Sequence, residues 1–87
     1  MVERSVVIKN PTGLHLHPAG VLCKEAMAFK SSISFRFGNT TSNAKSILSV
    51  LGSGVRCNDE ITFVCSGPDE EEALARMVRI VEEGLGE

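Results

Sequence analysis

The chain holds two histidines, His15 and His17, and they stand two positions apart. They follow the loop-forming run Asn10-Pro11-Thr12-Gly13 and precede an apolar pattern of helical period, so both fall where a loop enters a helix. A helix N-terminus carries backbone N–H groups without partners and the positive end of the helix dipole, which together favour an anion. An imidazole has a pKa of about 6.5, so at neutral pH it is largely an uncharged nucleophile. The chemistry these facts point to is capture of a phosphoryl group by His15. Its oxygens would be received by the N–H groups of Leu16 and His17, without a metal. Pro18 has no N–H to offer, which ends the cradle at His17. Two other readings of the pair stay open: surface histidines beside a helix start, or two ligands of a metal. The cysteines Cys23, Cys57 and Cys65 lie far off in sequence, and neither a CxxC nor an HExxH spacing occurs.

Ser46 is the second residue of chemical interest. It precedes the short apolar segment Ile47-Leu48-Ser49-Val50-Leu51, closed by Gly52, and a hydroxyl in that place is an N-cap. Capping explains the residue by itself. The same position would also suit a phosphate, because the added negative charge meets the favourable end of the helix dipole. A helix this short cannot bury every side, so some of Ile47, Leu48 and Leu51 are candidates for an exposed docking patch.

These residues need elements to hold them. Val2, Val6 and Ile8 share one parity of a β-branched run, which reads as a strand. From about Leu16 the spacing of Leu22, Ala26 and Phe29 is helical. Ile33, Phe35 and Phe37 alternate with polar residues, Gly38-Asn39 signals a hairpin, and Thr40 to Ser42 is the return strand. Ile61, Phe63 and Cys65 form a last strand before Gly67-Pro68. Asp69 and Glu72 have the spacing of a capping box, and Ala73, Leu74, Met77, Val78 and Val81 make the apolar stripe of a final helix that stops near Gly84. Asp69 to Glu72 read as a solvated helix start with no site. The order is βαββαβα, and each strand is apolar on one face. That predicts an α+β fold, one antiparallel sheet with its helices on one side.

The 87 residues are one domain's worth, with 43% hydrophobic residues and only eight glycines and three prolines, which suits a folded globule. A net charge of −2 without Trp or Tyr argues against nucleic acid. No apolar run approaches the roughly 20 residues that cross a bilayer, so no membrane insertion is expected. The start, Met1-Val2-Glu3-Arg4-Ser5, has no apolar signal-peptide core. Three free and mostly buried thiols suit a reducing compartment, and the expected location is the cytoplasm. No triad or glycine-rich nucleotide loop is legible, so no cofactor is expected.

The run from Asn10 through Gly13, Leu14, His15, Leu16, His17 and Pro18 to Ala19 resembles the active-site signature of HPr, the phosphocarrier family of the bacterial phosphoenolpyruvate-dependent sugar phosphotransferase system. Lys45-Ser46-Ile47-Leu48-Ser49-Val50-Leu51 resembles that family's regulatory serine segment, and Gly54 and the stretch Glu60 to Leu74 also fit. The resemblance covers nearly the whole chain. It implies an open-faced β-sandwich, a four-stranded antiparallel sheet with three helices on one face. It implies a single HPr-like domain over residues 1–87, a monomer, that accepts phosphate from phospho-enzyme I on His15 and passes it to a sugar-specific permease component. Such a protein carries a transient phosphohistidine and is not an independent turnover enzyme. The resemblance further implies phosphorylation of Ser46 by a bifunctional kinase/phosphorylase, binding of a catabolite repressor in that form, and docking through Ile47, Leu48 and Leu51.

Two positions depart from the pattern. The family usually has arginine two positions after the active histidine, where this chain has His17, and Met27 stands where a basic residue is common. Arginine is always charged and grips phosphate in a planar fork, which an imidazole does not. The departure motivates a rival reading, a regulatory HPr-like protein that signals through Ser46 with little part in sugar transport. A metal-binding or purely structural module is the third.

Overall fold

The computed structural model describes every residue from Met1 to Glu87. Strand β1 (Val2–Val7) leads through a loop to helix α1 (Leu16–Ala26), then to the hairpin of β2 (Ser32–Phe37) and β3 (Thr40–Asn43). Helix α2 (Ile47–Gly52), strand β4 (Glu60–Ser66) and helix α3 (Glu70–Glu82) complete the chain. The four strands form one antiparallel sheet in the order β1-β4-β2-β3. The expected βαββαβα order and antiparallel α+β layer are what the structure has.

The register explains the layer. Val2 lies opposite Cys65 and Val6 opposite Ile61, while Phe35 lies opposite Phe63 and Ile33 opposite Cys65. All of these apolar residues fall on one face, because side chains alternate along a strand. That face is covered by the helices: Ile33, Phe35, Ile61 and Phe63 are buried with Leu22 and Ala26 of α1 and Met77 and Val81 of α3. The rings of Phe35 and Phe63 meet edge to face, with centroids 6.1 Å apart and planes at 68°. Such a pair contributes about 0.5–1.5 kcal/mol beyond its buried area. The opposite face is open and polar. There Ser5 Oγ lies 2.8 Å from Thr62 Oγ1, and Arg36 Nη2 donates to Glu3 Oε2 at 2.8 Å.

The structure corrects four local expectations. Phe29 lies beyond the end of α1 and is half-buried, because Met27 and Ala28 already close the helix onto Cys23 O and Glu25 O. Asp69 precedes α3 but makes no side-chain cap. Its carboxylate instead accepts from Lys30 N and Ser31 N, both at 2.9 Å, and from Ser31 Oγ at 2.5 Å. It therefore ties the chain before β2 to the start of α3, and the Ser31 hydroxyl above all brings its pKa down to about 2. Glu70 turns back to accept from Gly67 N at 3.1 Å, so the acidic run is partly engaged and not merely solvated. Of the three thiols only Cys65 is buried; Cys23 and Cys57 are half-buried, and each donates to a backbone carbonyl, of Lys45 and Lys9. Cys57 sits in a turn and not on a strand, which is why it misses the core.

Candidate functional site

The loop between β1 and α1 is pinned at almost every residue. Gly13 N donates to Asn10 O at 3.1 Å, and Asn10 Nδ2 donates back to Gly13 O at 2.8 Å, so the turn closes on itself. Leu14 N then donates to Val55 O at 3.1 Å. Gly13 has φ +65°, and a Cβ there would stand 2.6 Å from Arg56 Cα and 2.7 Å from Val55 O. Only glycine permits this approach, and the approach sets the direction in which the chain leaves for His15.

His15 is the N-cap of α1, with φ −79° and ψ −173°, and its carbonyl accepts Ala19 N at 2.8 Å. The side chain makes no cap and is exposed to solvent. The amides of Leu16 and His17, the first two of the helix, take part in no hydrogen bond within the chain, and Pro18 has none to offer. The first turn of α1 also contains no acidic residue.

The other two helix starts are furnished differently. Ser46 Oγ accepts Ser49 N at 3.2 Å at the head of α2, and Ser49 Oγ accepts Asn43 N at 2.8 Å in return. The head of α3 carries Glu70, Glu71 and Glu72 against the dipole. The first two amides of α2 are likewise unpaired, so α1 differs in having neither a side-chain cap nor an acidic residue at its start, beside an exposed imidazole. A helix start of this kind favours an anion.

His17 follows on the same turn of α1 and is exposed, with Nε2 turned toward the C-terminal turn: a Cβ on Gly86 would stand 3.0 Å from it. Beside it a shallow groove is lined by Leu16, His17, Gly20, Val21 and Lys24. Helix α1 packs on α2. On α2 Val50 is the buried residue, while Leu48 is 79% exposed and Ile47 and Leu51 each 36%. All three residues expected to form a docking patch are therefore at the surface, and Leu16 is exposed as well, at 68%. No three of the His, Cys, Asp and Glu side chains converge as a metal would need, so His15 and His17 gain no further ligand.

One participant was invisible in the sequence. Glu87 places its carboxylate against the loop: Oε1 accepts Asn10 Nδ2 at 2.9 Å, Thr12 N at 3.1 Å and Thr12 Oγ1 at 2.9 Å, and Oε2 accepts Thr12 Oγ1 at 2.8 Å. These bonds, that from Asn10 first, hold its pKa below the usual carboxylate range. Nothing in a Glu distant from the loop along the chain could have signalled this.

The fold and this open helix start define an α+β protein that presents two exposed histidines, His15 and His17, at a helix start with two free amides. A family model described as the PTS HPr component phosphorylation site matches residues 2–83. The phosphocarrier protein HPr of Mycoplasma genitalium is 41% identical over 83 residues, 94% of either chain. The HPr-like protein Crh of Bacillus subtilis is 34% identical over 95% of this chain and 98% of its own. The crystal structure of HPr-C-His from Thermoanaerobacter tengcongensis superposes with a TM-score of 0.96 at 38% identity, covering 100% of this chain and 98% of that one. The chain belongs to the HPr phosphocarrier family of the phosphotransferase system.

Proposed function

We propose that the chain, as one domain over residues 1–87, is a phosphoryl carrier whose acceptor is His15. The observation that carries the reading is the bare start of α1, where the N–H groups of Leu16 and His17 stand unpaired next to the His15 side chain. An imidazole nitrogen of His15 uses its lone pair to form the P–N bond as the bond from phosphorus to the donor breaks. The charge on the phosphoryl oxygens is then met by the two amides and the helix dipole, worth about 0.3–1 kcal/mol for the dipole at an exposed site. His17 is a candidate for one further contact, and once protonated it would add a charge. The donor is phospho-enzyme I and the acceptor a sugar-specific permease component, each docking over Leu16 of α1 and Ile47, Leu48 and Leu51 of α2. Transfer takes place in the cytoplasm, and the carrier works as a monomer. The test is incubation with phosphoenolpyruvate and enzyme I, followed by assay of acid-labile phosphate. Wild type and His17→Ala should be labelled, and His15→Ala should not; label surviving in His15→Ala would remove His15 as the nucleophile.

Ser46 supports a second role for the same protein. Its hydroxyl caps α2 directly beside the exposed Ile47 and Leu48. A kinase/phosphorylase acting there would add charge to the docking surface, weakening uptake from enzyme I and creating a surface for a catabolite repressor. Similarity to the HPr-like protein Crh favours this reading, and a chain limited to it would signal through Ser46 with little sugar transport.

A further inference from the structure

The turn after α3 brackets the acceptor histidine from both sides. Beyond Glu82 the residues Gly84, Leu85 and Gly86 have φ of +90°, +50° and +83°, three left-handed residues in succession that reverse the chain. Leu85 is 1% exposed and anchors the reversal in the core, and its amide closes on Ile80 O at 3.0 Å. Gly86 then lies against His17, which follows His15, and Glu87 reaches the loop that precedes it. Thr12 N has no partner other than Glu87, and Asn10, 4% exposed, divides its amide group between Gly13 O and Glu87.

We propose that Glu87 is a positioning residue for the phosphoryl transfer: by strapping Asn10 and Thr12 it fixes the loop from which His15 is presented. The inference rests on His15 being the acceptor. The strap works through hydrogen bonds and not through charge, since a negative group so near an incoming phosphate is itself unfavourable. Glutamine preserves it. Its Oε1 accepts from Thr12 N and Asn10 Nδ2 as before, and the Thr12 hydroxyl, donor to one oxygen, becomes acceptor for Nε2. Alanine removes it altogether.

The experiment compares wild type, Glu87→Gln and Glu87→Ala as substrates of enzyme I with phosphoenolpyruvate, at varied carrier concentration. A loosened loop misplaces the nucleophile without altering the docking surface, so Glu87→Ala should lose about tenfold in kcat with KM little changed. Glu87→Gln should recover most of that loss. In the unphosphorylated proteins, hydrogen exchange at Thr12 N should quicken in Glu87→Ala and stay slow in Glu87→Gln, while amides of β4 remain as in wild type. Wild-type rates in Glu87→Ala, a loss confined to KM, or equal losses in both variants would each overturn the proposal. So would unchanged exchange at Thr12. If wild type itself takes no phosphate on His15, the carrier reading fails, and the exchange measurement still shows whether the strap exists.

Discussion

Replacing Ser46 by alanine and by aspartate should separate its structural part from any regulatory one. Helix α2 has six residues and buries only Val50, so it is too short to hold itself by its own hydrogen bonds. Its start depends on Ser46 Oγ accepting Ser49 N at 3.2 Å, supported by the reciprocal bond from Asn43 N to Ser49 Oγ. Alanine deletes the first bond and leaves the second, which puts the loss near the middle of the range for caps, about 1 kcal/mol. For a domain of this size that lowers the melting temperature by about 4–8 °C. Aspartate is as good an N-cap as serine, and its charge suits the dipole, so Ser46→Asp should melt within about 0.5 kcal/mol of wild type. Uptake of phosphate from enzyme I should show the reverse pattern, near normal in Ser46→Ala and slowed in Ser46→Asp. Thermal unfolding followed by circular dichroism gives the first quantity, and initial rates of acid-labile labelling the second. If Ser46→Asp is as unstable as Ser46→Ala, the capping argument is wrong. If its uptake is unchanged, this serine does not govern docking.

Two further outcomes follow from charge. Replacing His17 by arginine should speed uptake of phosphate from enzyme I, because a guanidinium is always charged and grips phosphate in a planar fork; initial rates of acid-labile labelling measure it, and an unchanged rate would show that the imidazole already makes that contact or that none is needed. Asp69 has its pKa lowered from 3.8 to about 2 by bonds that exist only in the folded chain. Its contribution to stability is therefore complete above about pH 4 and lost as the pH falls toward about 2, and Asp69→Asn should flatten acid unfolding in that window; an identical acid transition in the variant would refute the assignment.

The architecture was legible because its signals are local and periodic. Alternation in Ile33-Phe35-Phe37 and Ile61-Phe63-Cys65 marks strands, the stripe from Ala73 to Val81 marks a helix, and Gly38-Asn39 marks the hairpin between Phe37 and Thr40. The helix starts at His15 and Ser46 were legible for the same reason. Periodicity says nothing of which strands become neighbours, and the placing of β4 between β1 and β2 came only from the structure. Asp69 misled because its spacing to Glu72 imitates a capping box, while its true partners lie some 38 residues earlier, at Lys30 and Ser31. Glu87 and Thr12, 75 residues apart, escaped sequence reading altogether.

The strand order also dictates when this protein can become itself. The first strand made, β1, lies at a sheet edge and bonds only to β4, so Val2 waits for Cys65 and Val7 for Glu60. Contacts of such long sequence separation form late and slow the folding of a chain. On a ribosome, synthesis running from the N-terminus at about 5–20 residues per second leaves β1 unpaired until residues 60 to 65 have been made. The loop before His15 waits longer still, since its last partner is Glu87. A nascent chain of this sequence thus has its histidine early and the fixed loop before it only once Glu87 has followed.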